Sequence, residues 1–424
     1  MTTVSAPAPA SGRIASRLPV LRPLAERDFR LLWAGESISL LGDQFHFVAL
    51  ATLVFALTGS GLALGTVLIA AAVPRAGFML LGGALTDRLS PRALMIGSNL
   101  ARGATVGVVA VLVLADSVEL WHLVALGIVF GTVDSIFFPA LNTIVPMLVP
   151  LDRLPAANAV VQGTSQFMGL VGPAVAGIVV AAMGTGTAFT LDALSFGVAA
   201  LALFLIRGGR RTTKAVTAGP AVSEPSLARS IRDGAAYAFR DTGIRSIILL
   251  SAAVNLGTSG SIAVGLPWLA NVRFDGGPAL LGVLFAGFGA GALAGAIIGG
   301  TAAHPGRFGL VVLALAAGLG LGIAALGIAP NAAVAIAILV LSGMTAGYLN
   351  VTIIAWLQAR ADPALLGRVM SLVMLGAVGL QPVSLALAGI LVDAHATAMY
   401  VAAGAVILAA VAVGLLGGAQ RALD

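Results

Sequence analysis

The sequence predicts an all-α integral membrane fold, with twelve transmembrane helices in two six-helix, pseudo-symmetric halves. Three observations carry that prediction. Of the 424 residues 59% are hydrophobic and only 9% are charged, with a mean hydropathy of +1.05. A soluble domain carries about 25% charged residues, so the solvent for this much apolar surface is lipid. Apolar runs long enough to span recur twelve times, and the second six echo the first at an offset of roughly 210–217 residues.

The runs fall near 31–57, 62–85, 93–115, 120–148, 158–182 and 187–206, then near 244–271, 279–302, 308–328, 332–358, 368–392 and 396–417. Residues 1–28 are Ala/Pro/Ser-rich with scattered Arg and lack the apolar core of a signal peptide; they read as a disordered cytoplasmic tail. The organisation that follows is an amino-terminal half at 29–206, a polar loop at 207–243, a carboxy-terminal half at 244–417 and a second tail at 418–424. Basic residues collect on one side: Arg13, Arg17, Arg22, Arg27, Arg30, Arg88, Arg92, Arg153 and the cluster from Arg207 to Arg245, against Arg273 alone on the other. The positive-inside rule then puts both termini and the central loop in the cytoplasm, which an even number of spans requires. Trp33, Trp121, Trp268 and Trp356 fall at span ends, as an interfacial belt does.

The absence of cysteine excludes disulfides and thiolate metal sites. The four histidines do not cluster along the chain, so no metal site is expected. The glycine-rich runs hold no Gly-Lys-Ser/Thr phosphate cradle, which excludes ATP hydrolysis of that type. The basic balance serves topology, and no nucleic-acid partner is implied.

Charges inside apolar runs carry the chemistry. Asp43, Arg75, Arg102, Asp134 and Asp192 all lie within spans of the first half. Each costs roughly 2.5–3.5 kcal/mol at bilayer depth on insertion scales, so each needs a partner or a task. Glu36 and Asp43 are seven residues apart and share a helix face. Asp43 and Asp134 sit at mid-span, where desolvation penalises a bare carboxylate and favours proton exchange near neutral pH. Asp43, Asp134 and Glu36 are therefore the proton-coupling candidates, and Arg75, Arg102 and Asp192 the groups that modulate their charge. A static ion-pair network holding the half together is the alternative.

Two motifs connect the chain to a known family. Gly83-Ala-Leu-Thr-Asp87-Arg88-Leu-Ser90-Pro91-Arg92 resembles the Gly-x-x-x-Asp-Arg-x-Gly-Arg-Arg signature of the major facilitator superfamily, with Ser90 and Pro91 departing from it. The resemblance implies that Gly83, Asp87, Arg88 and Arg92 form a conformational latch on the cytoplasmic face. The repeat copy after span 8 carries His304 in place of the Asp. Gly169-Leu-Val-Gly172-Pro173-Ala-Val-Ala-Gly177 in span 5 resembles the Gly-Pro motif of superfamily antiporters, which implies export. The four-residue glycine spacing of Gly287, Gly291, Gly295 and Gly299 reads as helix packing. Phe29-Arg-Leu-Leu-Trp33-Ala-Gly35-Glu36 through Gly42-Asp43, and Gly131-Thr-Val-Asp134 through Pro139, resemble the macrolide-efflux and enterobactin-exporter-like branch.

The branch implies a proton-driven exporter, antiporting hydrophobic or amphipathic small molecules by alternating access from a bacterial inner membrane, monomeric and without cofactor. A siderophore or lipid-like metabolite is the alternative cargo, and a non-transporting receptor or scaffold the alternative class. Phe45, Phe137, Phe138, Asn255, Met344, Tyr348 and Asn350 are the candidates for an apolar, sparsely polar substrate cavity.

Overall fold

The computed structural model describes residues 19–207, 240–301, 307–361 and 379–423, with isolated positions at 236, 238, 369, 370, 372, 373 and 376. The side chains of residues 79–84, 87 and 88 lie outside the described set.

Helix α1 spans Arg27–Thr58, α2 Gly61–Arg88, α3 Pro91–Leu114, α4 Leu120–Leu148 and α5 Leu154–Phe204. In the second half α6 spans Thr242–Gly260 and runs on through π turns to Arg273; α7 spans Gly277–Thr301, α8 Phe308–Leu326, α9 Ala332–Arg360, α10 Gln381–Leu416 and α11 Ala419–Leu423. Ten of these helices are long and apolar enough to cross a membrane. In lipid the backbone must satisfy its own hydrogen bonds, and a helix does that within one segment. The helices end where side chains or glycine permit. Ser60, Ser90 and Asn331 accept hydrogen bonds from Ala63, Ala93 and Val334 amides as N-caps, and Gly59 closes α1 at φ +63°.

Among the described residues the expected twelve spans appear as ten helices because two are continuous. Helix α5 is broken at Gly184, whose φ of +81° only glycine adopts readily, and α10 is broken at His395. Expected spans 5 and 6 are the arms of α5. The break in α10 falls between expected spans 11 and 12.

Both ends carry local structure among the described residues. Leu21 and Leu24, in a 3-10 turn at Pro19–Ala25, pack on a cluster containing Phe29, Leu32 and Leu203, so order begins before residue 29. At the other end α11 docks with Ala419 and Leu423 buried. Trp356 donates from Nε1 to the Leu423 carbonyl at 3.0 Å. The 207–243 loop lies mostly outside the described residues.

Within the first half α1 lies along α5, α2 along α4, and α3 against both α4 and α5; within the second, α7 lies along α9 and α8 along α10. Glycine sets the closest of these contacts. A Cβ at Gly131 would collide with the Ala71 carbonyl of α2, and Cβ atoms at Gly291 and Gly295 with the Val340 and Met344 carbonyls of α9. Gly343 and Gly347 return the contact onto α7, so the glycine spacing serves packing as expected. Large apolar side chains such as Val111, Phe204, Ile297 and Leu321 stay exposed on the outside, where lipid contacts them.

The halves meet along α5–α7 and α2–α10. Call the end of the bundle bearing the α1–α2 turn the turn face, and the end where α1 begins the terminus face. The close contacts between halves lie from mid-depth to the turn face. Gly177 and Gly282 pair across α5 and α7, Gly289 rests on Leu170, and Gly65 and Gly389 pair across α2 and α10. At the turn face Asp393 of α10 caps the start of α2. Its carboxylate accepts from Ser60 Oγ at 2.5 Å, the Gly61 amide at 2.7 Å and the Leu62 amide at 3.0 Å. Such a carboxylate also complements the positive end of the helix dipole.

Candidate functional site

A cavity of about 420 Å³ opens inside the amino-terminal half. Its walls are mostly apolar, including Phe47, Phe130, Phe137 and Phe138, and its charged lining is Glu36, Asp43, His46, Arg75, Arg102 and Asp134. The other half supplies Ala263, Gln381 and Leu385. All six charged or titratable groups come from α1 to α4.

Asp134 is the hub of the cavity's ion pairs. Arg102 Nη1 donates to its Oδ1 at 3.0 Å and Arg75 Nη1 to its Oδ2 at 3.1 Å. Arg102 is buried and also donates to Asn99 Oδ1 at 2.6 Å. Its guanidinium lies over the rings of Phe137 at 4.1 Å and Phe196 at 4.6 Å. Two aromatic faces replace part of the lost hydration of that cation. Both arginines are thereby engaged by one carboxylate.

Glu36 and Asp43 have no ion-pair partner within 4 Å among the described residues. Glu36 Oε1 is buried without a hydrogen bond. Asp192, on the second arm of α5, is fully buried; its neighbour is His46, with Nδ1 3.2 Å from Oδ2. Gly42 makes this approach possible, because a Cβ there would collide with Ser195 Oγ and sit 2.6 Å from Asp192 Oδ1. The sequence reading passed over His46, since four scattered histidines give no cluster along the chain. The available signal was its place one turn after Asp43.

The antiporter-like motif faces both halves. Gly172 leaves room for the Gln44 side chain of α1, while Gly177 lets α7 approach. Pro173 is buried, and its carbonyl is what a Cβ at Gly282 would strike. Gly169 borders open space.

Of the signature loop, Gly83, Asp87 and Arg88 have side-chain positions outside the described residues. Arg92 caps the end of α5, donating from Nε to the Leu203 carbonyl at 2.8 Å and from Nη2 to the Phe204 carbonyl at 2.6 Å. The two departures from the signature have a local function: Ser90 is the N-cap of α3 and Pro91 its first residue.

The substrate candidates separate. Phe137 and Phe138 line the cavity. Phe45 is buried in the core, Asn255 donates to the Ser251 carbonyl of its own helix at 2.9 Å, and Met344 and Tyr348 belong to the α7–α9 contact. Asn350 is exposed on α9. None of these five lines this cavity.

Comparison with known proteins agrees with this architecture. A family profile described as transmembrane secretion effector, within the major facilitator superfamily, matches residues 19–420. Macrolide efflux protein A of Streptococcus pyogenes is 22% identical over 346 residues, 81% of this chain and 84% of that protein. The enterobactin exporter EntS of Escherichia coli is 25% identical over 297 residues, 69% of this chain and 68% of that protein. Among solved structures, a bacterial homologue of the iron transporter ferroportin, in an inward-facing state, superposes with a TM-score of 0.66. It is 16% identical, covering 94% of this chain and 98% of that one.

Proposed function

Because the chain belongs to the transmembrane secretion effector family, and is thus a multi-pass membrane transporter, we propose that it is a proton-coupled exporter of amphipathic small molecules. It works as a monomer in the bacterial inner membrane with both termini in the cytoplasm. The two halves rock about the central cavity in alternating access, and the proton gradient supplies the energy.

The observation that carries the reading is the division among buried acids. Asp134 is fixed by two arginines, whereas Glu36 and Asp43 line the same cavity without an ion-pair partner within 4 Å among the described residues. A carboxylate committed to two guanidiniums is a poor proton carrier; one facing an apolar cavity without a partner suits the task. Asp43 and Glu36 therefore exchange the proton, and the Asp134–Arg75–Arg102 network sets the field they experience. The apolar, aromatic lining suits a hydrophobic body with a few polar groups. Asp87 and its loop latch the cytoplasmic face.

A siderophore is the second reading for the cargo, favoured by the similarity to the enterobactin exporter. The test uses proteoliposomes with a trapped pH-sensitive dye and an imposed pH gradient. Erythromycin, tetraphenylphosphonium and enterobactin are added in turn to wild type and to Asp43→Asn. Compound-triggered proton movement that the variant lacks is expected. Equal proton movement in both removes Asp43 from the coupling step, and none with any compound in wild type rejects coupled export of these classes.

A further inference from the structure

Asp192 has an unusual position among the buried acids. It is fully buried, and it lies in the same half as the two arginines that pair with Asp134. Its Oδ1 is 3.5 Å from Ser195 Oγ, which donates mainly to the Asp192 carbonyl at 2.7 Å. Its Oδ2 has no hydrogen bond, and neither does Nδ1 of His46 only 3.2 Å away. The two atoms are within reach but not aligned. A small turn of the imidazole completes the bond.

The surroundings of His46 are defined on every side. Phe130 of α4 stacks on the ring with centroids 5.4 Å apart, and Phe189 of α5 meets it edge-on at 5.4 Å. The charged groups around the same cavity are Glu36 and Asp43 on α1, Arg75 on α2, Arg102 on α3 and Asp134 on α4. From α7, also packed on α1, the nearby ring is Phe285, which meets Phe47. Neither arginine forms an ion pair with Asp192. The cation within reach of Asp192 is thus an imidazole, whose charge can be switched by one proton. A bare carboxylate alone in this interior is costly, and a neighbouring imidazole is a group that can offset that cost by carrying a proton.

The two members differ in access. The His46 side chain is 22% exposed and lines the cavity; Asp192 is sealed behind it. We propose that His46 and Asp192 form a proton-exchange pair, in which His46 is the cavity-facing relay and Asp192 the buried acceptor. The proton leaves imidazolium Nδ1 for Asp192 Oδ2 and returns by the same route, with no other bond made or broken. Asp43, one helical turn before His46, lines the same cavity and is the relay's acidic neighbour on α1. This inference rests on the proton-coupled reading above and assigns further residues to it.

Two measurements separate its failure from failure of that reading. The first needs no cargo: acid-induced infrared difference spectra of the full chain in lipid, for wild type, His46→Gln and Asp192→Asn. Wild type is expected to show imidazolium bands together with a buried-carboxyl band. His46→Gln is expected to lose the His46 share of the former and perturb the latter, and Asp192→Asn to lose the Asp192 component of the carboxyl absorption. Superimposable wild-type and His46→Gln spectra overturn the pair, whatever the protein carries. Asp192→Asn alters a buried position, so the His46→Gln spectrum decides the matter if that variant does not fold.

The second is the dye assay with the compound to which wild type responds. His46→Gln is expected to slow proton movement about tenfold or more, and to slow it far more than cargo counterflow without a pH gradient. Loss of counterflow in step with proton movement assigns His46 a packing role and overturns the relay.

Discussion

Asp134 and Asp43 are both mid-span aspartates, yet their surroundings give them different chemistry. Removing the Asp134 carboxylate strands a buried arginine, and breaking a buried pair from one side costs about 3–5 kcal/mol. Asp134→Ala should therefore lower thermal stability markedly, and Arg102→Met less so, because Arg75 still reaches the remaining acid. Unfolding followed in detergent checks the order, and equal stability of all three proteins would contradict the hub. Asp43→Asn, by contrast, should leave the melting temperature nearly unchanged and remove coupling. The sequence shows the depth of each acid along its own helix. It does not show which way the helix turns it, nor which group from 59 or 146 residues away meets it. The Arg75–Asp134 and His46–Asp192 contacts are of that kind. Asn255 and Asn350 were expected at the cavity and do not line it for the same reason: one bonds its own backbone and the other is exposed on α9.

Element by element, the apolar runs were legible because lipid admits few backbone conformations, and the helix bounds follow them closely. The continuity of α5 and α10 was less legible, since one residue such as Gly184 turns the chain without interrupting its hydrophobicity. Gly184→Ala places a side chain at φ +81° and should destabilise by about 1–2 kcal/mol. Gly131→Leu is more severe, for its Cβ meets the α2 backbone. That variant should fail to yield monodisperse protein, whereas Gly97→Leu, in open space, should behave as wild type. At the start of α6 Asp241 titrates outside the spans. Partial burial raises its pKa, but the Ile244 amide and Arg360 outweigh this and hold it below the ordinary 3.8. A depressed carboxylate pKa gives stability that is present above the unfolded value and lost as pH falls through the folded one. The wild-type advantage over Asp241→Asn should thus be constant near neutrality and vanish below about pH 3.8, as melting curves across pH would reveal.

Across the whole molecule, the alternating access proposed above requires the two halves to separate where they now touch. Asp393 places three hydrogen bonds across that seam. Asp393→Ala should weaken closure at the turn face and raise the labelling of a cysteine introduced at Leu62. The chain has no cysteine of its own, so such labelling has no background. Unchanged labelling would show that glycine contacts alone hold the seam. The two-half plan was legible from the repeat, but this capping carboxylate was not, because nothing in the sequence around residue 393 indicates which helix end it reaches.

The cavity's charges all belong to one half, and that has a consequence for how such a protein can diversify. The carboxy-terminal wall presents an alanine, a glutamine and a leucine. Substitutions there can reshape what fits without disturbing an ion pair of the described lining, so under the proposed proton coupling the part that converts the gradient and the part that selects cargo are free to change at different rates.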